Sequence, residues 1–258
     1  MNKNRIPMIA GNWKMHLNAK EAAELALALK KGVNPDLPHE VLVAPTFTDL
    51  WTVRQALSGS KIILASQDVH WEEKGAFTGA VSPTQVLDAG CTHAIIGHSE
   101  RRKIFGESDE VVNKKVKAAV KYNIVPVVCI GETLAERESQ RTYRVLETQL
   151  CGAFAGLKAE EVIRAVIAYE PVWAIGTGKT ATPDTAQDAH LFIRRQMEKL
   201  YGKDFASRVR ILYGGSVKAD NIDTLMAQPD IDGALVGGES LKADKFLRVI
   251  HFEEVLVG

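Results

Sequence analysis

Eight short apolar runs, rich in β-branched residues, recur along this chain, and a segment of helical period follows each one. The runs predict strands at Ile6–Ala10, Val41–Ala44, Ile62–Ala65, Ala94–Ile96, Val125–Ile130, Ala165–Tyr169, Arg210–Tyr213 and Ala234–Val236. Helices are expected at Asn18–Lys31, Thr48–Leu57, Pro83–Ala89, Ser108–Lys121, Thr133–Ala155, Thr182–Tyr201, Ala219–Ala227 and Asp244–Phe252. Thr182-Pro183-Asp184 and Ser108-Asp109-Glu110 are helix-start signals, which load a first turn with acceptors and negative charge. Strands that are continuously apolar, rather than alternating, are buried on both faces, which means a parallel sheet covered by helices. Eight units in 258 residues come to about 32 residues each, an ordinary βαβ size. An open doubly wound sheet usually has fewer strands and a glycine-rich turn after the first. Here the first strand leads into Ala10-Gly11-Asn12-Trp13-Lys14, not GxGxxG. A closed (β/α)8 barrel of eight parallel strands fits better. No linker or shift of composition divides the chain, so the expectation is a single α/β domain over residues 1–258.

Charge narrows the partners. Lys plus Arg is 32 and Asp plus Glu is 32, a formal net charge of zero. That argues against nucleic-acid binding by bulk basicity and against a polybasic membrane contact. It leaves room for a small anion, because one pocket can be positive on a neutral protein. Cys91, Cys129 and Cys151 have irregular spacing and form no CxxC or Cys/His metal pattern, so a reduced, cytoplasmic chain is expected. Residues 1–15 lack the apolar core of a signal peptide, and no apolar run approaches the length of a membrane span.

In such a barrel, chemistry gathers where strands end and βα loops begin. The polar residues at those positions are Asn12 and Lys14, Gln67 and Asp68, His98 with Ser99 and Glu100, Glu132, Glu170, then Gly214-Gly215-Ser216 and Gly237-Gly238. The two glycine pairs follow the seventh and eighth strands, where backbone N–H groups can approach phosphate oxygens. Glycines also make tight turns for no other reason, but both pairs at the expected places favour an anion cradle. Glu170 ends a buried strand and opens a mostly apolar loop, Pro171 to Lys179. Such a loop either packs permanently on the rim or closes as a lid that excludes water. His98 is a core histidine or a neutral hydrogen-bond donor beside a helix N-terminus. Lys14 is the nearby cation that would balance an anionic ligand. The loop from His70 to Gly79 carries Trp71 and Phe77, a pattern of protein contact or of folding back on the core.

Asn12-Trp13-Lys14, His98-Ser99-Glu100-Arg101-Arg102, Ala168 through Lys179, Tyr213-Gly214-Gly215-Ser216 and Val236-Gly237-Gly238 together resemble the triosephosphate isomerase family, in order and over almost the whole chain. The resemblance implies a TIM barrel that interconverts dihydroxyacetone phosphate and D-glyceraldehyde 3-phosphate through an enediol(ate), with no cofactor and no metal. It implies Glu170 as base, His98 as hydrogen-bond donor to the substrate oxygens, and Lys14 as positive charge toward phosphate and oxyanion. Asn12 would bind substrate oxygens, and backbone N–H groups of Gly176, Ser216, Gly237 and Gly238 the phosphate. Residues 171–179 would be the lid. Loop 70–80 would join two copies as a homodimer. A catalytically impaired or engineered phosphate-binding barrel, or another sugar-phosphate isomerase, are the competing readings. Two positions depart from the family. Ala80 replaces a glutamate that would pair with Arg101 across the subunits, which predicts a weaker dimer. Glu239 replaces a small residue beside the phosphate cradle, which predicts a raised KM.

Overall fold

The computed structural model describes residues 5–174 and 181–253. Its eight strands are β1 (Met8–Asn12), β2 (Glu40–Ala44), β3 (Ile63–Ser66), β4 (His93–Ile96), β5 (Val125–Ile130), β6 (Val166–Tyr169), β7 (Arg210–Tyr213) and β8 (Gly233–Val236). Each pairs in parallel with its sequence neighbour, and β1 pairs with β8, so the sheet closes into a barrel. Successive strand residues divide between two apolar clusters. Met8, Ala10, Leu42, Ala44, Ile95, Val127, Cys129, Ala168 and Leu212 pack together in one. Ile9, Val41, Val43, Ala94, Ile96, Val128 and Ile167 pack with the helices in the other. Successive side chains of a strand point to opposite faces, so the first cluster fills the barrel and the second lies between barrel and helices. This double burial is why the strands carry no polar face.

Most helices start and stop where their caps dictate. Asn18 caps Ala19–Gly32 with a reciprocal bond from Glu21, and Thr182 caps Pro183–Tyr201, whose proline occupies the first turn. Three differences from the expected boundaries have local causes. The first strand begins at Met8, because Ile6 is 56% exposed and Pro7 has no N–H to donate. The helix expected over Thr133–Ala155 is two, Leu134–Glu138 and Thr142–Phe154. Between them Ser139 Oγ donates to the carbonyls of Ala135 and Glu136, and Gln140 takes a left-handed φ of 57°. Neither glycine nor proline marks that break in the sequence. A short helix, Ser99–Phe105, follows β4 with no buried residue, so no apolar face announces it. It ends at Gly106, whose φ of 69° forms a left-handed cap.

Because all strands run in parallel, their C-terminal ends share one rim. Asn12, Ile96, Tyr169, Tyr213 and Val236 end five of them, and the residues just beyond converge there.

Candidate active site

A cavity of about 240 Å³ opens at that rim. Asn12, Lys14, His98 and Glu170 line it together with Gly214 to Lys218 and Gly237 to Glu239. The fold therefore brings together every expected site residue except Gly176, which lies outside the described residues with the rest of 175–179. Of the expected lid, Pro171 to Ala174 are described, and Val172–Ala174 form a 3-10 turn.

Glu170 is the most enclosed of these groups, 1% exposed. Its backbone N–H donates to the Ile130 carbonyl at 2.7 Å, and the Gly214 N–H donates to the preceding Tyr169 carbonyl at 2.7 Å. The carboxylate accepts from His98 Nε2 at 2.9 Å, from the Ser99 N–H at 2.9 Å and from Ser99 Oγ at 3.3 Å. Burial alone would raise its pKa. The His98 charge and hydrogen bond, the Ser99 N–H and the Lys14 ammonium outweigh burial and hold the carboxyl below its usual range.

His98 caps the Ser99–Phe105 helix. Its Nδ1 accepts the Glu100 N–H at 3.2 Å, which places the proton of the neutral ring on Nε2, aimed at Glu170. The helix terminus thus selects the tautomer. It does not set the titration. Burial pushes the imidazole down, but the Glu170 charge and hydrogen bond together with the Glu100 charge outweigh it, so the ring titrates above its ordinary value.

Lys14 sits at φ 52°, a strained conformation for a side chain-bearing residue. Its N–H donates to Asn12 Oδ1 at 3.0 Å, and its carbonyl accepts from Gln67 Nε2 at 2.7 Å. The same Gln67 nitrogen donates to the Ala44 carbonyl at 2.9 Å, and Trp13 is fully buried beneath the turn. Lys14 Nζ lies 2.6 Å from Glu100 Oε1. Its side chain also passes over Gly237, where a Cβ would meet Lys14 Cε at 3.4 Å.

Five rim residues found in the sequence do not line the cavity: Ser99 and Glu100 act on it through Glu170 and Lys14, and Gln67, Asp68 and Glu132 are engaged elsewhere. Gln67 braces the Lys14 backbone. Asp68 turns away to Lys115 Nζ at 2.7 Å and Arg101 Nε at 3.1 Å, in a network shared with Glu107. Arg101 therefore has two carboxylates in its own chain, and Ala80 does not leave it unpaired. Glu132 is fully buried and accepts from Trp173 Nε1 at 2.9 Å, Tyr169 Oη at 3.2 Å and Arg137 Nη1 at 3.1 Å. It anchors the start of the loop that follows Glu170. Glu239 does line the cavity, but its Oε1 lies 3.2 Å from Lys245 Nζ, so the carboxylate meets a compensating cation.

Gly131 is a site residue that sequence reasoning passed over. A Cβ there would fall 1.7 Å from the Glu170 carbonyl oxygen. Gly214 presses from the other side, where a Cβ would meet Glu170 Cγ at 2.9 Å. The base candidate is thus seated between two positions that only glycine fits. A buried, ionised carboxylate, an imidazole N–H, a primary ammonium and glycine backbone around one cavity together suit proton transfer on a small anion.

A family model described as triosephosphate isomerase matches residues 7–253. The triosephosphate isomerase of Geotalea uraniireducens is 56% identical over 250 residues, 97% of this chain and 100% of its own. That of Roseiflexus sp. strain RS-1 is 54% identical over 248 residues, 96% of this chain and 98% of its own. A whole-length match of that strength, on a closed eight-stranded barrel with this rim, shows that the chain belongs to the triosephosphate isomerase family.

Proposed function

We infer that this chain is an isomerase that interconverts dihydroxyacetone phosphate and D-glyceraldehyde 3-phosphate, with its catalytic machinery in one domain over 1–258. The observation that carries this reading is the placement of Glu170, buried and held ionised, beside His98 and Lys14 at a glycine-lined cavity. Glu170 takes the proton from one carbon of the substrate and returns it to the adjacent carbon. Its carboxylate first gives up the Ser99 and His98 contacts that hold it. His98 Nε2–H turns to the substrate oxygens, where it stabilises the enediol(ate) with Asn12. Lys14 supplies positive potential toward phosphate and oxyanion. The backbones of Ser216, Gly237 and Gly238, together with Gly176, bind the phosphate dianion. The apolar loop from Pro171 to Lys179 covers the intermediate, which would otherwise lose phosphate.

A coupled assay with glyceraldehyde 3-phosphate tests the activity, and a rate no faster than buffer would refute it. The same assay on Glu239→Ala reads the cost of the unusual carboxylate. Because Lys245 offsets it, KM is expected to stay within about fivefold of the parent, since a partly exposed pair contributes on the order of 0–1 kcal/mol. A KM lowered tenfold would show that Glu239 repels substrate.

No described helix is long and apolar enough to cross a membrane. The three cysteines are free, which supports the cytoplasm as the working compartment. Loop 70–80 supports a homodimer. Its Phe77 is 43% exposed and packs tilted against His70 at 4.3 Å, and exposed Phe105 adds apolar surface beside the loop. Beside the loop lies a cavity of about 410 Å³ bounded by Phe47, Ala80, Arg101 and Phe105, suited to receive the partner's loop. Light scattering over a dilution series is expected to give twice the mass of 28.3 kDa down to low concentration, because Arg101 needs no carboxylate from the partner. A monomer at every concentration would overturn the dimer.

A further inference from the structure

A third cavity, of about 340 Å³, lies at the opposite mouth of the barrel. Glu40, His93, Val125 and Arg210 line it, and each is the first residue of its strand, so the cavity faces away from the candidate active site. Four arginines surround it, Arg5, Arg164, Arg208 and Arg210, against a single lining carboxylate, Glu40.

The arginines are not equally committed. Arg5 is spent on Asp232 at 2.5 Å and on the carbonyls of Ser207 and Pro229. Arg210 reaches Glu40 at 2.5 Å through one terminal nitrogen, Nη1. Arg208 pairs with Asp204 at 2.9 Å in an exposed contact. Arg164 has only the neutral Asn123 Oδ1 at 2.8 Å, and no carboxylate among the described residues lies within ion-pair distance of it. One guanidinium charge at the mouth is thus uncompensated, and two more keep free N–H groups.

His93 supplies the second observation. It lines this cavity and is 94% enclosed, since only 6% of it is exposed. Its Nδ1 lies 2.8 Å from Thr92 Oγ1, whereas its Nε2 has no hydrogen-bond partner among the described residues. That ring nitrogen is not sealed from solvent, so it opens to the cavity and is free to hydrogen-bond a ligand there. Burial first, then the charges of Arg210 and Arg164, push this imidazole down to about 3, so it stays neutral.

We propose that the N-terminal mouth of the barrel is a second anion site, which takes a phosphate-type oxyanion between Arg164, Arg210, Arg208 and His93. Guanidinium groups match the geometry of phosphate oxygens and bind them through paired N–H donors. The same charges exclude a metal cation. Ile6 and Ile163, both exposed on the rim, would contact the organic part of a phosphate ester if the ligand carries one.

The site is independent of the isomerase reaction, and two histidines report on the two cavities separately. In the full-length protein, NMR of labelled histidine with added pyrophosphate is expected to move the His93 resonances saturably and raise the pKa of that ring. His98 reports binding in the active site. The double variant Arg164→Glu with Arg208→Glu changes two exposed side chains, so it is expected to fold. It should weaken the His93 response at least tenfold and leave the His98 response and kcat unchanged. His93 resonances that stay still while His98 saturates would overturn the proposal. So would an unchanged His93 response in the double variant. Phenyl phosphate distinguishes the sources: tighter binding than inorganic phosphate marks an organic phosphate, and equal or weaker binding marks a bare inorganic anion.

Discussion

Glu170→Gln is expected to lower kcat by about 10²–10⁴-fold, the usual contribution of a positioned general base. That range corresponds to roughly 3–5 kcal/mol of lost transition-state stabilisation. The substitution keeps shape and burial, but the amide cannot serve all of the donors that now converge on the carboxylate. His98 Nε2–H and Ser99 Oγ–H face Oε1, while the Ser99 N–H faces Oε2. One side of the amide must therefore present N–H to a donor, which costs on the order of 1–3 kcal/mol. The variant also carries a signature independent of turnover. Burial lowers the His98 pKa, and the Glu170 charge is the leading group that raises it. Without that charge the imidazole should titrate lower than in the parent, a shift that NMR of the ring reads directly. Near-normal kcat would refute Glu170 as the base. An unchanged His98 titration would refute the pairing.

Gly131→Ala should damage stability and activity together. Its Cβ would lie 1.7 Å from the Glu170 carbonyl oxygen, so β5 and the chain beyond β6 must separate by more than an ångström. The backbone there is held on both sides: the Glu170 N–H donates to Ile130 O, and Gln149 exchanges hydrogen bonds with the Gly131 N–H and carbonyl. Overpacking of this kind costs about 1–3 kcal/mol and sometimes more. At roughly 2–4 °C per kcal/mol for a chain of this size, Tm should fall by several degrees. An ångström of displacement at the base should also cost about 100-fold in rate. Gly238→Ala is the contrast, because a Cβ there meets nothing within 4 Å. It should leave Tm nearly unchanged while it alters the phosphate cradle and so KM. Equal Tm values for the parent and Gly131→Ala would show that the junction is more compliant than its contacts indicate.

The fold was largely legible in the sequence because its signal is local and periodic. Two-sided burial made each strand a continuous apolar run, and Val125–Ile130 and Arg210–Tyr213 agree with the structure at both ends. The breaks at Ser139-Gln140 and the polar helix after His98 were hidden, because backbone hydrogen bonds and a left-handed residue make them, not an apolar pattern. The candidate site was legible for a different reason. Parallel strands all present their C-terminal ends to one rim, so a polar residue at a strand end is a site candidate by position, although Gln67, Asp68 and Glu132 turn to other partners.

By itself the sequence determined eight strand–helix units, double burial of the strands, and the list of polar residues that end them. Only the tertiary structure decided which of those residues meet. Closure sets β8 beside β1, Met8 opposite Gly233, and so puts Lys14 against the Gly237 backbone. It sends Asp68 to Lys115 and Arg101, Glu132 under Trp173, and Glu239 toward Lys245. It also gathers Arg164, Arg208, Arg210 and His93 at the far mouth. The physical reason is range. Burial and helical period are properties of a few adjacent residues, whereas ion pairs, pKa shifts and cavities depend on groups that become neighbours only when the barrel closes.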